Sequence, residues 1–226
     1  MQDFQIEIRY LKRTRRATLR VMPGKIIKVT APIQFREEQV KHFILKNSNW
    51  ILKRYRMIES TPAVIELKYI EGERFNLRGQ ELLLHLVEGR DAPYVYKNQL
   101  IVAVPRQKQN PTQWIQKKII NFYKEQAGHQ LAKTIPIYCA NLGVQPKSIS
   151  LKNYRSRWGC CSTKGDLIFN WQIIAFPDEL FNYVAAHEVC HLKEMNHSQK
   201  FYDHLKTLGF DKKKYHAMMR KARNLF

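Results

Sequence analysis

AAHEVCHLKEMNHS, residues 185–198, places three of the chain's eight histidines and a glutamate within eleven positions. The run begins upstream as DELFNYVA and is apolar around most of a helical circumference, which predicts a helix through a core. His187 and His191 lie one turn apart, so both imidazoles leave the same face, with Glu188 on the adjacent row. A buried helix should not carry such groups unpartnered, because an isolated buried carboxylate is costly. The HExxH spacing supplies a reason. Two neutral imidazoles can hold a divalent ion, and the glutamate can take a proton from a water whose pKa the ion lowers toward about 7. The plain alternatives are satisfied core histidines and a buried ion pair between Glu188 and an arginine.

A zinc ion that keeps a water needs a third protein ligand. On an unbroken helix His197 would lie about 240° around from His191, off the ligand face. A left-handed Asn196 would end the helix and fold the chain back. Ser198 would then cap a following helix, QKFYDHLKTL, that Gly209 stops. This turn favours His197 as third ligand, with His204 as its rival and Glu194 behind. Cys190 projects away from His191 and reads as core packing. His204 and His216 otherwise read as helix-flank residues.

Upstream, SISLKNYRSRWGCCSTKGDLIFNWQII reads as two strands joined by a turn at Thr163–Asp166. Pro177 suits the first turn of the histidine-bearing helix, and Asp178 and Glu179 suit its positive end. Residues 111–133 have helical spacing at Trp114, Ile115, Ile119, Ile120, Phe122 and Tyr123. Residues 65–104 alternate as strands with turns at Glu71-Gly72, Arg78-Gly79 and Glu88-Gly89. Residues 4–31 read as a small antiparallel sheet. A basic amphipathic helix of about two dozen residues follows, with a break near Asn47–Asn49. The pattern is α+β, with an N-terminal antiparallel β-rich lobe (1–105) containing one long helix and a C-terminal helical lobe (106–226).

The net charge of +20 is uneven. From Ala92 to Gly165 the sole carboxylate is Glu125. Such a field favours polyanions, though it serves equally as a solubilising surface. No apolar run approaches the roughly 18 residues of a membrane span, and MQDFQIEIRYLKRTRR lacks the apolar core of a secretory signal. The four cysteines (Cys139, Cys160, Cys161, Cys190) have no CxxC spacing, which points to reduced thiols and a cytoplasmic setting.

The run from Tyr154 to Tyr202 resembles the YgjP-like metallopeptidase family, relatives of the SprT-like and WLM zincins. The matching residues are Arg157-Trp158-Gly159, Cys161-Ser162, Gly165, Asn170, Pro177, His187-Glu188-x-x-His191, Asn196-His197-Ser198 and Phe201. The resemblance implies a zincin-like fold and one zinc per chain on His187, His191 and His197. It implies Glu188 as general base, and the strand Leu167–Asn170 along the substrate cleft. Cys160 departs from the family, which usually has serine there. Arg155, Arg157 and Tyr202 are candidate substrate-binding residues by their chemistry, and Asn170 is a fourth by its place on that strand.

Three functions follow as expectations. The first is a zinc metallopeptidase that takes an extended peptide on an edge strand at Leu167–Asn170. The second is a metal-dependent phosphohydrolase acting on a nucleotide or another phosphate ester, without a Walker-type loop. The third is a nucleic-acid-associated module with a structural metal, contacting nucleic acid through basic faces that carry Trp50, Tyr55, Trp114 and Tyr123.

Overall fold

Alternation at the N-terminus produces three strands, but they do not pair in sequence order. The computed structural model describes residues 4–59, 67–154 and 156–222. Strands β1 (Gln5–Leu11), β2 (Thr18–Met22) and β3 (Ile26–Pro32) take the order β1-β3-β2. β2 and β3 form a hairpin whose turn residues Gly24 and Lys25 both have positive φ, the geometry that matches strand twist. β1 runs parallel to β3, which corrects the all-antiparallel expectation for residues 4–31. Strand directions still alternate along the chain. However, β3 carries the buried Ile27, Val29 and Ala31 and takes the centre, so its pairing with β1 becomes parallel.

Helices α1 (Glu37–Lys46) and α2 (Ser48–Glu59) follow. They are separated at Asn47, whose side-chain amide donates to the Phe43 carbonyl at 2.7 Å. Val40, Ile44 and Ile51 close this unit's own core against Val21, Ile27 and Val29. By its contacts the chain divides into residues 1–65 and 66–226.

The second unit opens with β4 (Arg74–Leu77), β5 (Gln80–Glu88), β6 (Tyr94–Tyr96) and β7 (Gln99–Val104), in the order β4-β5-β7-β6. Leu82, Leu84, Leu100 and Val102 share one core with the helices that follow. The lobe boundary expected near residue 105 therefore falls inside this unit.

Helix α3 spans Pro111–Leu142, nine residues beyond the expected 111–133. Pro136 lies inside it, where the lost N–H and the ring cost about 3 kcal/mol. Burial of Leu131, Ile135, Cys139 and Leu142 along one face offsets that cost. The helix stops at Gly143, which is left-handed at φ 61°.

Strands β8 (Ser148–Lys152), β9 (Gly159–Cys161) and β10 (Asp166–Asn170) form a third sheet, ordered β8-β10-β9. A 3-10 turn (Trp171–Ala175) then leads into α4 (Asp178–Cys190), α5 (Gln199–Thr207) and α6 (Lys212–Ala222). No described helix is long and apolar enough to cross a membrane.

The β4–β5 turn holds the start of α4. Arg78 and Gly79 donate backbone N–H groups to Ile174 and Ala175 at 2.7 and 3.0 Å, and the Arg78 guanidinium grips Asp178 through two bonds. Gly79 has φ 77°, and a Cβ there would stand 2.9 Å from the Pro177 Cα. Gly79→Ala should therefore destabilise the fold by more than about 1 kcal/mol, through strain and contact together. A thermal melt checks this, and an unchanged Tm would contradict the packing of this turn on Pro177.

Candidate metal centre

Helix α4 buries Leu180, Phe181, Val184, Ala185, Ala186, Val189 and Cys190, so its polar residues near the C-terminal end have little freedom. Its last residue is Cys190, and His191 is the C-cap. Hydrogen bonds from Leu192 to Val189, and from Lys193 and Glu194 to Cys190, then turn the chain. Asn196 is not among the residues with positive φ, which corrects its expected role as a left-handed stop. The chain keeps turning through Lys193 and bends at Met195 and Asn196 without a left-handed residue. Ser198 does cap α5, accepting from the Phe201 N–H at 3.4 Å, and Gly209 has φ 89° just past its end.

This reversal returns His197 to α4. Its Nε2 lies 3.0 Å from His187 Nε2. His187, His191 and His197 each offer a ring nitrogen, and these atoms all lie within 4.8 Å of one another. Phe201, fully buried, backs all three rings at centroid distances of 4.6–4.9 Å. Both rivals stay outside this group of nitrogens. His204 sits on α5, and Glu194 contributes its main-chain carbonyl, 3.0 Å from His191 Nδ1. A carbonyl can only accept, so Nδ1 carries the proton and Nε2 keeps its lone pair.

Two of the histidines, His187 and His191, are shifted toward the neutral form. Burial, reinforced by His191 and His197, pushes the His187 pKa down to about 3, and burial also lowers that of His191. His187 Nδ1 is buried without a hydrogen-bond partner among the described residues. Three converging imidazole nitrogens with no carboxylate among them suit a divalent ion of borderline softness. The residues able to hold one are thus His187, His191 and His197.

Glu188 is 6% exposed and lies flat against β9. A Cβ built on Gly159 would come within 2.7 Å of Glu188 Cγ and Oε1. Burial pushes its carboxyl up to about 8, while Arg157 acts in the opposite direction. Gly159 entered the sequence reading solely as a letter of the Arg157-Trp158-Gly159 motif. A glycine inside a short strand was the available signal of close approach.

The candidate substrate residues are scattered. Arg157 lines a cleft of about 790 Å³ beside His187 and Glu188. Asn170 is buried, and its amide serves the fold: it donates to the Tyr154 carbonyl and Gln172 Oε1 and accepts from the Gln172 N–H. Tyr202 is half-buried, with its ring 6.3 Å from that of His197. Arg155 lies outside the described residues. Cys160 Sγ is 3.4 Å from the Tyr154 hydroxyl. β10 is hydrogen-bonded on both sides, parallel to β8 and antiparallel to β9. The expectation of a free edge at Leu167–Asn170 is therefore corrected, and the edge strands of this sheet are β8 and β9.

Among solved structures, the metallopeptidase zymogen abylysin of Pyrococcus abyssi is similar at 18% identity, covering 42% of this chain and 94% of its own, with a TM-score of 0.38. The jannalysin zymogen of Methanocaldococcus jannaschii is similar at 22% identity, covering 43% and 91%, with a TM-score of 0.37. A comparison with curated proteins finds no match. The family described as YgjP-like, metallopeptidase domain, matches residues 15–222. That match takes in nearly the whole sequence, and the chain belongs to the YgjP-like metallopeptidase family.

Proposed function

We propose that the chain is a zinc-dependent peptidase in which His187, His191 and His197 hold the metal and Glu188 is the general base. The observation that carries this reading is the convergence of three imidazole nitrogens within 4.8 Å, next to a carboxylate that borders the same cleft. When bound, zinc supplies Lewis acidity, polarising a carbonyl and acidifying water. Glu188 takes the proton of the attacking water and delivers it to the departing amide nitrogen. The wall of β9 fixes the carboxylate for both transfers. The extended substrate lies along the outer edge of β9 (Gly159–Cys161), which pairs with β10 on its other side, so main-chain hydrogen bonds would set its direction. Arg157, which lines the cleft, contacts the substrate.

Metal analysis tests this first. The purified chain supplied with zinc should hold about one ion, and His187→Ala and His197→Ala should each lose it. Cleavage of unstructured peptides should vanish with a chelator and return with zinc. A parent chain that takes up no zinc, or variants that retain it fully, would sink the assignment.

A further inference from the structure

One side of the cleft beside Glu188 is basic. Arg157 approaches from the segment before β9, while Lys212, Lys213 and His216 project from α6. Glu188 is the sole carboxylate among the lining residues, and its part is to move protons. The position of the lysines calls for a reason. Lys212, Lys213 and Lys214 open α6, whose first turn has no acidic residue, although Asp211 just before it accepts from the Lys214 N–H at 2.8 Å. That end of a helix is positive, and each added cation is disfavoured by about 0.3–1 kcal/mol. Lys214 is met by Glu179, and Lys212 lies 3.6 Å over the Tyr202 ring. Among the described residues Lys213 has no ion pair, and it borders the cleft. Apolar lining comes from Trp158, Tyr183, Val184 and Met219.

We infer that this basic wall selects peptides with an aspartate or glutamate side chain close to the scissile bond. The inference rests on the peptidase reading above and names its substrate class. A carboxylate side chain entering beside Arg157 or Lys213 gains charge-assisted hydrogen bonds, which are about twice as strong as neutral ones. The apolar lining accommodates the neighbouring residues of an extended chain. A hydrated triphosphate would leave that lining unmatched, and no glycine-rich phosphate loop is present in the sequence. The net charge of +20 further raises the encounter rate with acidic chains.

The test uses zinc-loaded Glu188→Gln protein, which keeps the wall and does not consume the ligand. Two fluorescent peptides, identical but for Glu or Gln beside the intended bond, are compared by anisotropy. The Glu peptide should bind about tenfold tighter, with the advantage shrinking as salt rises. Adding Lys213→Glu and Arg157→Glu should erase the preference, and Lys213→Arg should keep it. These side chains are exposed, and unchanged zinc content and circular dichroism would certify the fold. Equal affinity for the two peptides would overturn the inference. So would displacement of the Glu peptide by a nucleoside triphosphate at far lower concentration than by unlabelled peptide, which would assign the wall to phosphate. Cleavage by the unsubstituted chain is scored separately. A Glu preference in binding without any peptide hydrolysis would defeat the peptidase reading and leave the carboxylate-binding wall standing.

Discussion

Glu188→Gln is expected to cut peptide turnover by about 10²–10⁴-fold, the usual contribution of a positioned general base, while zinc content stays at the parent level. Glutamine has nearly the same volume and should keep its place against Gly159, but its amide cannot take a proton from water. The three histidines are untouched. A buried amide also avoids the desolvation that pushes the Glu188 carboxyl up to about 8, so the melting temperature should hold or rise. This pattern, with activity lost and both metal and stability retained, separates a chemical role from a structural one. Full activity in the variant would remove Glu188 from the mechanism.

Gly159→Ala is expected to have the next largest effect, although Gly159 carries no chemistry. The added methyl would stand 2.7–2.8 Å from Glu188 Cγ, Oε1 and Cδ. The glycine's φ is not in the left-handed region, so the conflict is one of space alone. Either β9 withdraws or the carboxylate swings away. A displacement of about 1 Å costs on the order of 10²-fold in rate, with a loss of about 1–3 kcal/mol in stability from overpacking. Zinc content should not change, because Gly159 lies against Glu188 and not against the histidine nitrogens. Added to Glu188→Gln, the same substitution should cost little further activity, since both act through one group. Activity within twofold of the parent would show that Glu188 does not depend on β9 for its position.

Local patterns were legible, and pairings between distant segments were not. The buried helix at residues 178–190 could be read because the run is apolar around most of a helical circumference and opens with Pro177, Asp178 and Glu179. The nearness of His187 and His191 follows from that helix alone. His197 lies beside them, yet the chain reaches it by a bend at Met195 and Asn196 that has no left-handed residue, contrary to the expected role of Asn196. The standing of β10 depends on β8, eighteen residues upstream in register, and no periodicity in either strand reports that partner. The parallel pairing of β1 with β3 escaped for a similar reason, since alternation gives strand faces but not strand order. Helix α3 was read short of Pro136, where tertiary burial outweighs propensity. Asn170 carries the right chemistry for a ligand contact, but the need to cap the 3-10 turn claims it first.

The three histidines occupy a span of eleven residues, from 187 to 197, whereas the wall behind Glu188 comes from Gly159, far earlier in the chain. Closing so short a loop costs little chain entropy, and one helix with the turn after it brings the nitrogens together. Positioning the base requires the third sheet to be assembled and docked on α4. On the proposed reading, the ligands of the ion and the support of the base would thus come from different parts of the chain, so damage to the third sheet would silence Glu188 without stripping the histidine site.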